Sequence, residues 1–322
     1  MAVTPHDRVL VTGECFSRAV RSGALDLPLP GHGQTRSRWS ALARIAEHDL
    51  CVARLAEAHV DALAILAELD GPDPAAGSRW GVWASHPSSP ALTALQRGDT
   101  WYLTGTKPWC SGARICTHAL VTGDAPDGYR LFAVELGAKV SPRPGTFAAV
   151  GMAGSDSLAV DFVDSPAVAV GGPGGYLDRP GFWHGAISVA ACWYGGAVGL
   201  ARPLVGQRGE LGPHALAHLG AIDAALTGLA CCFDAAAAEV DADPRDLRRR
   251  GELRAARVRA TTESVAVEVL ERVGRALGAR PFGVDARIAA LAADLPVYLR
   301  QSHGEADLER LGALVVEQGP SW

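Results

Sequence analysis

Trp101-Tyr102-Leu103-Thr104-Gly105-Thr106-Lys107-Pro108-Trp109-Cys110-Ser111-Gly112-Ala113 is the stretch on which the reading of this 322-residue chain turns. Its first half alternates large apolar with small or polar residues, the period of a half-buried strand, and Gly105 allows a sharp change of direction. Trp109 and Ser111, two residues apart on an extended segment, leave it from one side. An indole face and a hydroxyl at that spacing offer a flat heteroaromatic ligand a wall to stack on and a polar group at its edge. A core tryptophan followed by a turn serine has the same sequence, so both readings stay open.

Around this strand, from Trp80 to about Val170, short apolar runs such as Leu131 to Leu136 and Leu158 to Phe162 are punctuated by Gly, Pro, Asp and Ser. That spacing is the pattern of an antiparallel sheet or barrel. Upstream, Trp39 to Leu69 contains neither Pro nor Gly, and Leu42, Ile45, Val52, Leu55, Leu63 and Leu66 form the stripe of one or two amphipathic helices. His48 and His59 on that stripe, near Glu47, Asp49 and Asp61, suit either a ligand or ordinary carboxylate-paired histidines. Downstream, Gly171-Gly172-Pro173-Gly174-Gly175 reads as a linker, because Pro173 has no N–H to give a phosphate and no helix opens there.

The remainder is helical. Ile187 to Leu200 is rich in Ala and Gly, as in a helix packed closely on its neighbours, and a second helix runs from about Pro213 to Val240. A third starts with Asp243 as N-cap and Pro244 at the first helical position and continues to Leu277, and a fourth spans about Val284 to Leu314. Four such helices joined by short turns predict an antiparallel bundle. Arg248, Arg249, Arg250, Arg254, Arg257 and Arg259 on the third helix suit a phosphorylated ligand, a solvated face or a subunit contact. The fold class is therefore α+β in three blocks: a short helical region over residues 1–75, a β domain over 76–172 and a four-helix bundle over 173–322.

Composition narrows the function. A net charge of −5 with both signs interspersed points to neither nucleic acid nor a membrane surface, and 48% hydrophobic residues are ample for a large core. Seven cysteines without a CxxC pair argue against a disulfide framework and against a structural metal site, so a reducing compartment is expected. The first fifteen residues lack a signal-peptide pattern, and Ile187 to Ala201 is shorter than a membrane span, so the expected location is the cytoplasm.

Helices, then a β domain carrying Lys107-Pro108-Trp109-Cys110-Ser111, then a bundle carrying Asp294-Leu295-Pro296-Val297-Tyr298-Leu299-Arg300-Gln301-Ser302-His303: this order resembles the acyl-CoA dehydrogenase family of flavoproteins. The likeness covers about residues 40–316 and implies FAD as cofactor. Lys107 to Ser111 resembles the family's Lys-x-Trp-Ile-Thr segment, which implies that Trp109 packs on the flavin and Ser111 bonds near its reactive nitrogen. Val82-Trp83-Ala84-Ser85-His86-Pro87 is similar to the Val-Thr-Glu-Pro loop at the flavin's pyrimidine edge, which puts Trp83 and Ser85 among the cofactor-binding residues. Arg208-Gly209-Glu210-Leu211-Gly212 resembles the Arg-x-x-Phe-Gly motif, whose Arg holds the cofactor's pyrophosphate. The same resemblance implies a homodimer or homotetramer, a small-molecule substrate such as an acyl-CoA, and an electron-transfer flavoprotein as partner. The helical region of about 75 residues is shorter than the family's.

The family's α,β-desaturation requires a Glu to take the α-proton while flavin accepts a hydride. The positions that correspond to that Glu hold Ser302 or His303, and the alternative position early in the first bundle helix holds His184-Gly185-Ala186. Three readings follow: Glu305 is the base, His303 is the base, or the protein performs other chemistry. A His at this place is similar to members of the superfamily that hydroxylate small molecules with reduced flavin and oxygen. The resemblance thus implies an FAD-dependent oxidoreductase, with a flavin-dependent monooxygenase or a non-catalytic binding and assembly relative as alternatives.

Overall fold

A computed structural model describes residues 5–85, 92–206 and 211–320. The chain divides into two compact units that interleave along the sequence: residues 1–27 with 54–182, and residues 28–53 with 183–322. The three consecutive blocks read from composition are thus redistributed, with the division falling inside two helices, α3 (Leu50–Glu68) and α5 (Gly181–Gly206).

The first unit is built on seven strands: β1 (Trp80–Trp83), β2 (Thr93–Arg97), β3 (Thr100–Cys110), β4 (His118–Ala125), β5 (Gly128–Glu135), β6 (Val140–Arg143) and β7 (Leu158–Val170). Antiparallel pairings β2–β3, β3–β7, β7–β5 and β5–β4 are closed by a parallel contact between Thr93 of β2 and Asp124 of β4, making a small barrel. β1 adds to β4 in parallel, and β6 to β7 antiparallel.

Alternation along the strands supplies two cores. On β4 and β5, Ala119, Val121, Phe132 and Val134 face the barrel interior with Trp83, Leu103 and Phe162. Leu120, Leu131 and Ala133 face the other way, against Ala62, Ile65 and Leu66 of α3. Strands that bury both faces read as continuous apolar runs, which is why Leu131 to Val134 is apolar at every position. His59 of α3 is packed at this outer face, where its Nδ1 accepts the Trp80 backbone N–H at 3.3 Å. Burial lowers its pKa to about 4, so it is a neutral core histidine at neutral pH. His48 closes a separate helix, α2 (Thr35–His48), because Asp49 breaks the run and caps α3 through the Cys51 and Val52 N–H groups. An additional helix, α1 (Pro5–Arg21), precedes those read from the sequence.

The second unit holds α2 and the long helices α5, α6 (Pro213–Ala242), α7 (Gly251–Leu277), α9 (Ala286–Leu299) and α10 (Glu305–Gln318); two short helices, α4 (Gly175–Asp178) in the first unit and α8 (Arg280–Val284) here, complete the count. The glycines of α5 have a packing reason. A Cβ on Gly195 would stand 2.1 Å from the Ala43 carbonyl oxygen, and one on Gly199 would stand 2.4 Å from that of Glu47, so α2 reaches α5 only where side chains are missing. Ile222, Leu229, Phe233 and Val240 give α6 its buried stripe, with Phe233 edge-on to Trp39.

Two helix boundaries differ from the sequence reading. Asp243 does cap a turn, accepting from the Leu247 and Arg248 N–H groups, but α7 begins only at Gly251. Asp246 and Arg249 take left-handed backbone at φ 48° and 51°, which interrupts the helix, and the Asp246 carboxylate then caps the Arg250 and Gly251 N–H groups. The expected fourth helix is two, α9 and α10, because Gly304 at φ 59° turns the chain between them.

α6 is the one described helix long and apolar enough to cross a bilayer by length and composition, with a mean hydropathy of 1.6 over its best window. None of the seven cysteines is held in a disulfide.

Candidate functional site

Four of the residues singled out, Trp83, Ser85, Trp109 and Ser111, lie in the barrel unit and form one construction. β3 pairs with β7 as Lys107 to Val160 and then Cys110 to Leu158, so three steps on β3 match two on β7. That extra residue is a β-bulge. Strict alternation from the buried Lys107 would send Trp109 into the barrel. Instead the bulge places Cys110 inward at 0% exposure and turns Trp109 outward at 64%. Its backbone takes φ 61°, a left-handed conformation that bulky residues rarely adopt.

This strain costs on the order of 1–3 kcal/mol and persists only where the surroundings hold it. The end of β1 and the residues just after it provide the hold. The Trp83 indole N–H donates to the Ser111 carbonyl at 3.0 Å, and the Ser85 hydroxyl donates to the Pro108 carbonyl at 2.9 Å. The two bonds bracket Trp109, and at roughly 1 kcal/mol each they offset much of the strain. Trp83 itself is 1% exposed within the barrel core, so it supports the Trp109 segment and offers a ligand no face of its own. His86 and Pro87, which continue the loop read from the sequence, lie outside the described residues.

Trp109 and Ser111 do not leave one side of an extended segment, as the spacing suggests. β3 ends at Cys110, and the left-handed Trp109 followed by a turn sends the Ser111 side chain inward to 6% exposure. There its hydroxyl is 2.9 Å from that of Ser157, which is 2.8 Å from that of Ser155, which donates to the Met152 carbonyl at 2.7 Å. Counting hydrogens fixes the direction. A carbonyl only accepts, so the Ser155 hydrogen is spent on Met152; Ser157 must then donate to Ser155, and Ser111 to Ser157. Ser111 Oγ is left with lone pairs and no hydrogen to give.

The loop that carries Ser155 and Ser157 is fastened to the same turn. Gly112 N–H donates to the Ser155 carbonyl at 2.7 Å and Ala113 N–H to the Asp156 carbonyl at 3.2 Å. The buried Asp156 carboxylate accepts the Arg114 backbone N–H at 2.8 Å and its guanidinium at 2.5 to 3.1 Å. Asp156 and Met152 have φ 48° and 59°, so the relay loop, too, is held in left-handed backbone. Phe147 stands edge-on to the Trp109 ring at 6.3 Å and limits its rotation. Inside the barrel, Lys107 Nζ donates to the carbonyl and hydroxyl of Thr122 at 2.7 and 2.8 Å, and burial lowers its pKa to about 8. The lysine of the motif is therefore a strut across the barrel that no sequence pattern distinguishes from a ligand contact.

The remaining residues belong to the helical unit. Arg208 lies outside the described residues. His303 precedes α10 with its side chain 77% exposed; Asp307 accepts its backbone N–H at 3.1 Å and sits 3.3 Å from its Nδ1. Glu305 is exposed in the first turn of α10, where a carboxylate favours the helix N-terminus. Among the described residues, no group of three or more His, Cys, Asp or Glu side chains is placed to hold a metal ion.

No protein-family model and no curated protein sequence matches the chain. Solved structures do. TdsC from Paenibacillus sp. A11-2, in complex with FMN and indole, is 18% identical with a TM-score of 0.78, over 98% of this chain and 97% of that one. Nitrososynthase from Micromonospora carbonacea var. africana is 19% identical with a TM-score of 0.79, over 96% and 91%. Methanesulfinate monooxygenase MsuC from Pseudomonas fluorescens is 16% identical with a TM-score of 0.73, over 100% and 99%. These proteins share the acyl-CoA dehydrogenase-like fold, and the likeness establishes that fold for this chain.

Proposed function

We propose that the protein is a flavin-dependent monooxygenase that binds reduced flavin, FMN or FAD, made by a separate reductase, and uses it with oxygen to oxygenate a small organic molecule. The observation that carries this reading is the direction of the serine relay. Reduced flavin bears a hydrogen on its reactive N5, whereas oxidised flavin presents a lone pair there. Ser111, its hydrogen committed to Ser157, suits the reduced form as an acceptor. A dehydrogenase needs the opposite: a donor toward oxidised N5, and a carboxylate to take the α-proton. Ser302 and His303 stand where that carboxylate would be.

The residues fit a flavin in their chemistry: an exposed indole braced against rotation, followed two residues on by a hydroxyl of fixed direction in the turn behind it. Bound flavin would supply the oxygen chemistry. The chain's own part is to hold the ring and order its edge. Trp109 gives the stacking face, Trp83 and Ser85 fix the backbone on either side of it, and Ser157 and Ser155 hold the Ser111 hydroxyl in one orientation. His303, which meets Asp307 through its backbone N–H and its ring, is the proton-handling group of this reading, and Arg208 is its phosphate ligand. FMN replaces the FAD of the sequence reading as the first cofactor to try, because TdsC is solved with FMN and indole, and KijD3 with FMN and a dTDP-sugar. A small ring compound likewise replaces acyl-CoA, and a reductase replaces the electron-transfer flavoprotein. The homodimer or homotetramer implied by the resemblance belongs to the same reading.

The test supplies reductase, NADH and FMN in air, with indole as the first probe. Oxygen uptake above the flavin-only rate and an oxygenated product are expected. Anaerobic bleaching of oxidised flavin by an acyl-CoA would contradict the proposal and restore the dehydrogenase reading.

A further inference from the structure

The arginine-rich stretch at the start of α7 has a structural setting of its own. Between the last turns of α6 and the first turns of α7 lies a cavity of about 690 Å³, the size of a small-ligand pocket. Arg250, at the N-cap of α7, and Arg254, Arg257 and Thr261 of α7 line it at helical spacing, and Cys232, Ala235 and Glu239 line it from α6. Arg248 stands on the turn between the two helices and also faces in.

The donors in this cavity exceed the acceptors. Arg254 is 7% exposed and pairs through Nε with Glu239 at 2.9 Å, yet its Nη1 is buried without a hydrogen-bond partner. Arg257 Nη2 is likewise buried and unpartnered. Of the two carboxylates facing the cavity, Glu239 is taken by Arg254, and both Asp243 oxygens are committed to the Leu247 and Arg248 backbone N–H groups. Four guanidinium groups against two carboxylates leave an excess of two positive charges, taken from the lining residues. A buried guanidinium nitrogen without a partner costs free energy that a ligand's oxygen would recover. Ala235, Leu253 and Val258 form an apolar wall beside these groups.

We propose that this cavity is a binding site for an organic phosphate, separate from the barrel segment, with the phosphate oxygens on Arg254 and Arg257 and a compact apolar body along the Ala235 and Leu253 wall. A phosphate matches the guanidinium fork in geometry and brings the acceptors the cavity lacks. The inference does not depend on the flavin reading.

Phenyl phosphate and inorganic phosphate serve as probes for flavin-free protein, read by calorimetry and by mass-spectrometric protection of the Cys232 thiol from alkylation. Saturable binding of phenyl phosphate is expected, tighter than that of inorganic phosphate, with protection of Cys232. Arg257→Gln should weaken it about tenfold or more, since a charged hydrogen bond is lost. Arg275→Gln, exposed further along α7 in a pair with Glu271, should leave it unchanged. Saturating FMN should not displace the probe. The proposal is overturned by displacement with FMN, by equal affinity for the two probes, by an unaltered Arg257→Gln protein, or by no saturation up to about 10 mM, the limit of weak specific binding.

Discussion

The turn around Trp109 and the turn around His303 hold residues singled out for the same chemistry, and the structure builds them in opposite ways. Around Trp109, five positions carry interlocking bonds: Trp83 and Ser85 on the flanking carbonyls, Ser155 and Ser157 behind Ser111, and Asp156 on Arg114. The bonds converge on a strained, outward-facing indole. Around His303 one carboxylate, Asp307, serves both the backbone N–H and the ring, and the imidazole stands 77% exposed. The first arrangement specifies a geometry before any ligand arrives; the second leaves the side chain several rotamers. Preorganisation is therefore concentrated around the exposed Trp109 indole.

The sharpest way to break this contrast is to cut each turn at its carboxylate. Asp156→Ala should destabilise the protein by about 2 kcal/mol in urea denaturation, because it removes the acceptor of the Arg114 backbone N–H and puts alanine in left-handed backbone, while the half-exposed Arg114 guanidinium turns to solvent. Asp307→Ala should cost about 0.5 kcal/mol or less, as expected of an exposed pair. Similar losses in the two variants would remove the distinction. Next in size, Trp109→Ala should weaken reduced-FMN binding about tenfold, the loss of one aromatic stacking face of roughly 1.4 kcal/mol, while leaving the unfolding midpoint near that of the parent. A variant with unchanged affinity would show that the exposed indole serves something other than a flavin.

Much of the barrel segment is legible in the sequence. Alternation from Trp101 announces β3, and the grouping of Trp109 with Ser111 marks the candidate site. Which way Trp109 faces is not legible, because it depends on a bulge set by the register with β7. The partner of Ser111 is not legible either, since Ser157 lies 46 residues further on and nothing near Ser111 points to it. The same holds for Arg254: six arginines are visible in the sequence, but only the packing of α6 against α7 shows which of them are buried beside a cavity. Helix ends were lost for a local reason. Asp243 with Pro244 has the composition of an N-cap, and the left-handed Asp246 and Arg249 that postpone α7 carry no glycine to announce them.

The central claim is that Ser111 meets a flavin as an acceptor, and the most direct measurement is the dissociation constant for FMN in its reduced and oxidised states, determined anaerobically on the parent and on Ser157→Ala. The account predicts that the parent binds reduced FMN about tenfold more tightly, one hydrogen bond's worth of discrimination, and that Ser157→Ala, which frees the Ser111 hydrogen, loses most of that preference. Equal affinities in the parent, or a preference for oxidised FMN, would contradict it.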